Sequence, residues 1–436
     1  MMHVYKNKRV TIFGMGISGI AVAKKLQAMG ARIIISEKNS KDKFERKIID
    51  ELAGSGIKLE FGGHTLYSIS GADLIVVSPG IRIDLPILKE ARRHQILVVS
   101  EIELACRFLH KPIIAVTGTN GKTTTTTLIG EFLKQAGKKV AVVGNIGAPL
   151  IALDDRELDF IVAEISSYQL EGILTFRPWI SVLLNVAEDH LERHRGMEGY
   201  MRAKAKIFQN QRKNDYLIYN AQDEKVCRIV QVSQARRIPF AVKDIFFDPN
   251  QIILKGQHNF ENIMAAAYAA RLAGVTKQAI TRVLENFAGV KHRIEFIKKV
   301  NAVSFYNDSK ATNPDSTVVA LKTLAARAAV PNIVLILGGV DKKLDLTAVI
   351  KEIKKSVKEV VLIGAAAYRF NHELVQAGFN RISFAASLPE AVQKSYKLAK
   401  DGDQVLLSPG CSSFDMFSNF EERGEIFKRA ALGLAA

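Results

Sequence analysis

A glycine-rich segment at residues 113–128, IIAVTGTNGKTTTTTL, has the residue types of a phosphate-binding loop. An apolar run that is predicted to be a strand ends at Val116, and a helix-compatible stretch follows Lys122 and Thr123. In such loops backbone N–H groups surround the anion, the lysine reaches the outer phosphates, and a hydroxyl binds Mg²⁺. The usual pattern has glycine where this chain has Val116. A chance Gly-Lys-Thr in a β-turn is the alternative, which the flanking strand and helix make less favourable.

Polar side chains also follow other predicted strands of the same region. Glu164 ends the run that begins at Phe160, and His190 follows the run at 180–186. Because the carboxyl ends of parallel strands meet at one crevice, we expect both near the bound phosphates, as ligands of a hard cation. Either residue alone would more often be a solvated glutamate or a core histidine. The hypothesis rests on their occurrence at successive strand ends.

Two further pairs of residues in this region are weaker indications of a functional site. Lys204 and Lys206 lie two positions apart in YMRAKAKIF, which by itself fits a solvated basic helix face. Asn259 and Asn262 are at positions i and i+3 of a predicted alanine-rich helix, so they share one face. Amides at such positions cap helices or bind nucleotides, and the spacing alone favours capping.

The first hundred residues contain a second glycine motif, Gly14-x-Gly16-x-x-Gly19, after a predicted strand. Glu37 ends the next strand and is placed to accept a hydrogen bond from a ribose hydroxyl. A diphosphate can approach such a turn closely, so the motif fits NAD, another nucleotide diphosphate, or a turn that only packs. The phosphate loop further along the chain makes NAD the less favoured interpretation.

Apolar runs alternate with amphipathic helical patterns along the whole chain, which predicts an α/β fold with parallel sheets. We place domain boundaries so that the domains comprise residues 1–99, 100–297 and 298–436. In the third of these, NDSKATNP at 307–314 follows a strand, and Asn313 and Pro314 are expected to be the N-cap and N1 of a helix.

Composition excludes several classes of protein. The chain has 436 residues, 48% of them hydrophobic, and a formal charge of +17. Its 61 Lys and Arg residues are spread along the chain without interleaved aromatics, so nucleic-acid binding is not expected. Three distant cysteines allow no disulfide framework, which fits a reducing cytoplasm. No apolar stretch is long enough to cross a bilayer, so we expect a soluble protein without a membrane partner.

The motifs together resemble those of the Mur ligases, in the expected order and over essentially the whole chain. They are TGTNGKTT at 117–124, Glu164 with Ser166 and Ser167, LNVAEDHLERH at 184–194, HNFENIMAA at 258–266, HRIE at 292–295 and NDSKATNP at 307–314. EISSYQLE, LGGVDKK and LSPGCSSFDMFSNFEERG are similar to the branch of the family that adds D-glutamate. The resemblance implies a Rossmann-like N-terminal domain, a central P-loop ATPase-like domain with a parallel or mixed sheet, and a Rossmann-like C-terminal domain.

This resemblance also implies substrates and sites. The substrates would be ATP, D-glutamate and UDP-N-acetylmuramoyl-L-alanine, with two Mg²⁺ ions, in a monomeric enzyme of peptidoglycan synthesis. The N-terminal glycine turn would then bind UDP rather than NAD. Positions matching the family's UDP-substrate site are Gly16, Ile17, Ser18, Glu37, Lys38, Ser78, Pro79, Gly80 and Asn145. Positions matching its ATP site are Gly118, Thr119, Asn120, Gly121, Lys122, Thr123, Thr124, Asn259, Asn262, Arg293 and Asp308.

The resemblance further implies the catalytic and amino-acid sites. Metal ligands would be Thr123, Glu164, His190 and a carbamylated Lys204, with Lys206 as the alternative lysine. D-glutamate would be bound by His190, Lys310, Thr312, Lys342, Ser413 and Phe420, with Lys343 as the alternative to Lys342. Catalysis would depend on Lys122, Glu164, His190, Lys204, Lys310 and Lys342. Rival functions are a related ligase for another amino acid or folate, an NAD-dependent oxidoreductase, and a nucleic-acid-dependent ATPase.

Overall fold

The computed structural model describes residues 4–254, 256–325, 330–341 and 343–434. It contains three β-sheets with helices between their strands, which confirms the predicted α/β class. The chain groups into two compact units: residues 1–186, 191–246 and 261–283 form the first, and 187–190, 247–260 and 284–436 form the second. None of the described helices is both long and apolar enough to cross a membrane.

The first sheet has five parallel strands in the order β3-β2-β1-β4-β5. Its central strands are buried over nearly their whole length, as expected for a parallel sheet whose crossover helices cover it. The strands are β1 (Arg9–Phe13), β2 (Arg32–Ser36), β3 (Lys58–Glu60), β4 (Leu74–Val77) and β5 (Leu97–Ser100). The helices are α1 (Ile17–Ala28), α2 (Arg46–Gly54), α3 (Leu66–Ile69), α4 (Pro86–Arg93) and α5 (Glu101–Ala105).

The second sheet has six parallel strands in the order β11-β10-β9-β6-β8-β7. Its strands are β6 (Ile113–Thr117), β7 (Val140–Gly144), β8 (Phe160–Glu164), β9 (Ile180–Leu183), β10 (Tyr216–Asn220) and β11 (Arg236–Phe240). The helices are α6 (Lys122–Gln135), α7 (Ser167–Leu170), α8 (Leu191–His194), α9 (Met197–Ala205), α10 (Glu224–Ile229), α11 (Gln257–Leu272) and α12 (Lys277–Leu284). The strand order places the carboxyl end of β6 between those of β8 and β9.

The third sheet has the order β12-β13-β17-β14-β15-β16 and is parallel except for the antiparallel pair β12–β13. Its strands are β12 (Glu295–Val300), β13 (Val303–Asn307), β14 (Ile333–Gly338), β15 (Val357–Ile363), β16 (Ile382–Phe384) and β17 (Gln404–Leu407). The helices are α13 (Pro314–Ala325), α14 (Thr347–Ser356), α15 (Ala367–Gln376), α16 (Leu388–Leu398) and α17 (Phe420–Leu432). Apolar cores cover both faces of this sheet.

Candidate active site

The loop that joins β6 to α6 has the conformation that a phosphate cradle requires. Gly121 adopts a left-handed conformation with φ of 84° immediately before the first residue of α6. A Cβ atom at this position would overlap the side-chain carbonyl of Asn262, so the loop and α11 approach each other through the missing side chain. The N-terminus of α6 follows at once, and its backbone N–H groups and dipole favour an anion there.

Two lysine ammonium groups meet at one backbone carbonyl of this loop. Lys122 Nζ donates to Gly118 O at 2.9 Å and to Thr119 O at 2.8 Å. Lys204 Nζ, from α9, donates to the same Gly118 O at 2.7 Å. The Lys204 side chain is 1% exposed and lies 4.4 Å from the ring centroid of Tyr200. Two lysine side chains, from α6 and α9, thus share one glycine carbonyl of this loop.

The neighbouring strand end brings a carboxylate to the same loop. Glu164 is the last residue of β8 and is buried. Its Oε2 accepts a hydrogen bond from Thr123 Oγ1 at 2.7 Å, and its Oε1 accepts one from Asn145 Nδ2 at 2.8 Å. The structure therefore brings together Thr123 at the start of α6, Asn145 beyond β7 and Glu164 at the end of β8.

Asn185 is an active-site candidate that sequence reasoning missed. Its side-chain Oδ1 accepts from the backbone N–H groups of Thr119 at 3.1 Å and Asn120 at 2.8 Å, and its Nδ2 donates to Asn120 O at 3.1 Å. The backbone of Asn185 also accepts from Thr119 N. This asparagine lies in the LNVAEDHLERH segment and fixes the shape of the phosphate loop, although it was not singled out there.

Lys204 lies in α9 and Lys206 follows the last residue of that helix, and the two side chains have different surroundings. Lys204 reaches the phosphate loop, whereas Lys206 Nζ donates to Glu171 O at 2.7 Å. Burial lowers the pKa of Lys206, and the charge of Glu171 opposes that change. Of these two lysines, Lys204 is therefore the one that contacts the loop between β6 and α6.

Asn262 corrects the interpretation of the asparagine pair. The spacing favoured helix capping, but α11 begins at Gln257, so Asn262 lies within the helix. Its Oδ1 lies 3.4 Å from Thr125 Oγ1, beside the phosphate loop. Asn259 is also buried, and its backbone N–H donates to Gly256 O at 3.0 Å. Asn259 belongs to the second compact unit.

The N-terminal glycine turn is held by a carboxylate and a hydroxyl. Glu37 Oε2 accepts from the backbone N–H of Met15 at 2.8 Å, and Ser78 Oγ donates to Gly14 O at 3.2 Å. Ile17, the first residue of α1, is 79% exposed, so an apolar side chain stands uncovered beside the helix N-terminus. Gly16, Lys38 and Gly80 are exposed, and Ser18 and Pro79 are partly exposed. Both carboxylate oxygens of Glu37 accept hydrogen bonds within the protein, from Met15 and from Asn39, and its bond to a ribose hydroxyl stays a prediction.

The second unit contains candidate residues for binding the amino-acid substrate. Lys310 and Thr312 follow β13, Ser413 follows β17, and Phe420 begins α17. Lys310 Nζ lies 5.1 Å from the ring centroid of Phe420. Ser413 is buried and its carbonyl accepts from Phe417 N at 2.9 Å, while Thr312 is partly exposed. Lys342 lies outside the described residues, and Lys343 has a φ of 52° with its N–H donated to Asp341.

Asp308 follows β13 and is fully buried. Its Oδ2 accepts from Ser408 Oγ at 2.9 Å, its Oδ1 accepts from Ile294 N at 3.2 Å, and Arg293 lies 3.9 Å away. Burial raises the pKa of Asp308 to about 6, although Arg293 and the hydrogen bonds lower it. Asp308 and Arg293 are therefore neighbours, as expected for two residues of one site.

His190 has a left-handed backbone with φ of 55°, and its Nε2 lies 3.4 Å from Asp189 Oδ2. Asp189 also accepts from Asn313 Nδ2 at 3.1 Å. Asn313 Oδ1 accepts from Ser316 N at 2.8 Å, which confirms the predicted N-cap of α13. The segment 187–190 is thereby tied to the start of that helix.

Three models of protein families match successive parts of the chain. The Mur ligase MurD-like N-terminal domain matches residues 8–100, the Mur ligase middle domain matches 116–270, and the Mur ligase glutamate ligase domain matches 292–411. A UDP-N-acetylmuramoylalanine–D-glutamate ligase from Thermoanaerobacter sp. (strain X514) is 42% identical over 98% of this chain and 99% of that protein. The chain belongs to the Mur ligase family.

Other members of the family agree with this assignment. The ligase of the same name from Acidobacterium capsulatum is 42% identical over 98% of this chain and 96% of its own length. Among solved structures, UDP-N-acetylmuramate–alanine ligase MurC from Thermotoga maritima has a TM-score of 0.59, 20% identity and coverage of 97% and 98% of the two chains. MurF from Acinetobacter baumannii has a TM-score of 0.59 and 17% identity, covering 98% and 92%. These structures support the Mur ligase fold.

Proposed function

We propose that this protein joins D-glutamate to UDP-N-acetylmuramoyl-L-alanine at the expense of ATP, in the cytoplasmic stage of peptidoglycan synthesis. The observation that carries the proposal is the identity of about two fifths, over nearly the full length of both chains, to ligases named for this reaction. Membership of the Mur ligase family implies use of ATP, generally with Mg²⁺. An NAD-dependent oxidoreductase would leave the phosphate loop without a role.

The residues around the phosphate loop fit a magnesium nucleotide. Among the described residues, no group of three or more His, Cys, Asp and Glu side chains is assembled that could hold a metal alone. Mg²⁺ does not require one, because it usually combines one or two carboxylates with substrate phosphates and water. Glu164 and Thr123 supply a carboxylate and a hydroxyl in mutual contact at 2.7 Å. We assign them to one ion, and assign His190 with Lys204, in carbamylated form, to a second.

The proposed chemistry begins with attack of the substrate carboxylate on the γ-phosphorus of ATP, which gives an acyl phosphate and ADP. The protein contributes positioning and positive charge, because phosphoryl transfer needs little covalent help. Lys122, at the N-terminus of α6, is placed to neutralise the outer phosphates when a nucleotide displaces its contacts to Gly118 and Thr119. Bound Mg²⁺ would supply further charge neutralisation at the transferring group.

The second step is attack of the D-glutamate amine on the acyl phosphate carbonyl. A tetrahedral intermediate then collapses to the amide and releases phosphate. We assign Lys310, Thr312, Ser413 and Phe420 to binding D-glutamate, together with His190 and Lys342. The Lys310 ammonium, which lies 5.1 Å from the Phe420 ring, offers a cation for one of the two carboxylates of this amino acid.

The remaining assignments concern nucleotide groups and domains. We assign Arg293, Asp308 and Asn259 to ATP in addition to the loop residues, and the first glycine turn with Asn145 to the UDP-substrate. The proposed domains are residues 1–99 for the UDP-substrate, 100–297 for ATP and 298–436 for the amino acid, in a monomer. Closure of such domains around substrate is the usual way to exclude water from an acyl phosphate.

The function is tested by measuring phosphate release and the amide product from UDP-N-acetylmuramoyl-L-alanine, ATP and a panel of amino acids. We expect turnover with D-glutamate at least about 100-fold above that with L-glutamate, L-alanine or L-lysine, because a polar site rejects a mismatched ligand strongly. Activity with another amino acid or with a folate, and none with D-glutamate, would refute the proposal. Binding of NADH without binding of the UDP-substrate would favour the oxidoreductase, and nucleic-acid-stimulated ATP turnover would favour the third rival.

The assignment of Lys204 predicts that substitutions of Lys204 and of Lys206 have different effects on kcat. Lys204→Ala should lower kcat by at least about 100-fold, since it removes a cation or metal ligand at the phosphate loop. Lys206→Ala should keep kcat within about threefold, because that side chain bonds a carbonyl away from the loop. Steady-state kinetics of the two variants measure this, and equal losses would contradict the assignment. Carbamylation itself is tested by ¹³C NMR after incubation with ¹³C-bicarbonate, where Lys204→Ala should lack the carbamate signal.

A further inference from the structure

Arg423 is a fully buried cation for which the proposed reaction has no direct use. It lies on α17, is 1% exposed, and is among the largest buried side chains. Burial lowers its pKa to about 10, with Cys411, Asp415 and Asp308 opposing that change, so it is a cation at neutral pH. Burying a charge is costly, and an apolar side chain of similar size would often be more stable. Stability alone therefore does not explain the burial of this guanidinium.

Its hydrogen bonds go to two separate loops of the third sheet. Nε donates to Ser309 Oγ at 2.9 Å and Nη2 donates to Ser309 O at 2.7 Å. Nη1 donates to Cys411 O at 3.1 Å. Ser309 Oγ in turn donates to Phe420 O at 2.8 Å, which returns the network to the first residue of α17. The fork of donors thus connects the loop after β13, the loop after β17 and the helix.

The loop after β14 joins the same network. Val340 N donates to Ser412 O at 2.9 Å. A Cβ atom at Gly339 would overlap the Ser412 carbonyl and would lie 3.3 Å from Arg423 Nη1. In the sheet, β17 lies between β13 and β14, so the three loops leave adjacent strand ends. One guanidinium therefore lies at the junction of three loops, which no sequence-local contact connects.

Two of these loops, and the first residue of α17, carry near the bonded residues a side chain that we assign to the amino acid. Lys310 follows Ser309 directly, and Ser413 is two residues after Cys411. Phe420 supplies the carbonyl that Ser309 bonds. Lysine could not replace this arginine fully, because an ammonium lacks the planar fork that reaches acceptors on several loops at once.

We infer that Arg423 is a positioning residue for the incoming amino acid: it holds the loops at 308–313, 338–341 and 408–413 in one arrangement, so that the side chains on the first and last of these loops converge on a single ligand. It does not touch the substrate. The inference rests on the proposed function for the identity of the ligand, but the connection between the loops is a property of the free protein.

The first experiment measures amide hydrogen exchange in the free protein, before any substrate is added. In Arg423→Met, exchange in residues 308–313 and 408–413 should be at least tenfold faster than in the wild type, and β6 to α6 should be unchanged. Arg429→Met is the matched control, since Arg429 lies on the same helix and is exposed; it should exchange like the wild type. Arg423→Lys, which keeps the charge, should give an intermediate increase in the exchange rate of the same residues. This variant replaces Arg423→Met in the comparison if the methionine variant does not fold.

The second experiment measures steady-state kinetics of the same variants. The KM for D-glutamate should rise at least tenfold in Arg423→Met and about threefold in Arg423→Lys, while the KM for the UDP-substrate stays within twofold. Any rise in the KM for ATP, to which Asp308 of the same loop is assigned, should be smaller than the rise for D-glutamate. Faster exchange with an unchanged amino-acid KM, or a uniform loss of kcat with all KM values constant, would overturn the inference, because either indicates a purely structural role. Unchanged exchange would overturn it as well. If the wild type uses another amino acid, the proposed function fails, and the same KM comparison made with that amino acid still tests Arg423.

Discussion

Replacing Lys122 with alanine should lower kcat by at least about 1,000-fold while leaving the affinity for the UDP-substrate within about twofold of the wild type. The lysine begins α6, and its ammonium contacts carbonyls of the phosphate loop, where the outer phosphates of ATP would take their place. In a transition state that spreads charge over the transferred phosphoryl group, loss of this cation removes stabilisation that the ground state uses less. Binding of the UDP-substrate depends on other residues and should persist.

The measurement combines single-turnover formation of ADP with calorimetric titration of the UDP-substrate. Lys134→Ala is the matched control, because Lys134 lies on the same helix, is about half exposed and pairs with Glu131 on the surface. An exposed ion pair of this kind contributes little to stability, so the control should retain wild-type kinetics. Wild-type turnover in Lys122→Ala would refute the assigned role, and loss of UDP-substrate binding would indicate a wider structural effect.

The sequence predicted those features that depend on local patterns. Apolar runs of four to seven residues marked the buried parallel strands, and Gly121-Lys122-Thr123 marked the phosphate loop, because the strand, the turn and the helix are contiguous there. The boundaries moved by one or two residues in most strands. The strand predicted to end at Val186 ends at Leu183, and the segment beyond it braces the phosphate loop.

Three strands were not predicted, for identifiable reasons. The exposed faces of β11 and β12 carry Arg236, Arg237, Lys298 and Lys299, so neither strand forms an apolar run. β12 is also antiparallel to β13 and includes a register shift after Phe296. These are edge strands, where polar residues are common because they discourage pairing with other chains. β10 is more apolar than these two strands, and it too was not predicted as a strand from the sequence.

Two residues whose hydrogen bonds span long separations in the sequence were not predicted. Asn185 bonds the loop 65 residues before it, and Arg423 bonds Ser309 at a separation of 114 residues. Neither belongs to a spacing rule, since the partners meet only after the sheets form. The choice between Lys204 and Lys206 was also open in the sequence, because residues two apart on a helix point in different directions. The structure separates them by their acceptors, Gly118 for one and Glu171 for the other.

Replacing Glu101 with glutamine should remove a pH-dependent loss of stability in the first unit. Glu101 begins α5 and is 1% exposed; its Oε1 accepts from Ile151 N at 2.7 Å, and its Oε2 has no hydrogen-bond partner among the described residues. Burial raises the pKa of Glu101 to about 7, and the bond from Ile151 only partly opposes this. A carboxyl group of the unfolded chain has a pKa of about 4.3. The folded state therefore holds this proton through a range of pH in which the unfolded chain has released it.

The sign of the effect follows from that difference. Below pH 4 both states are protonated and Glu101 contributes no pH dependence. Between about pH 4.5 and 7 the folded state binds more protons, so stability falls as pH rises, by about 1.4 kcal/mol per pH unit. Above pH 7 the full penalty, about 4 kcal/mol, is present. Glutamine keeps the acceptor for Ile151 and cannot ionise. Relative to the wild type, Glu101→Gln should therefore gain several degrees in the melting temperature between pH 5 and pH 8.

Glu103, on the same helix, provides a control of opposite sign. Burial raises its pKa, but hydrogen bonds from Thr175 and from the backbone of Leu174, Thr175 and Phe176 outweigh burial, so the net pKa is lowered. Its stabilisation is present above the unfolded pKa and is lost as pH falls through the lower folded value. Glu103→Gln should consequently lower the melting temperature most at neutral pH, and less in acid. Parallel pH profiles for wild type and Glu101→Gln would show that the pKa of Glu101 is the same in the folded and unfolded states, contrary to the effect of its burial.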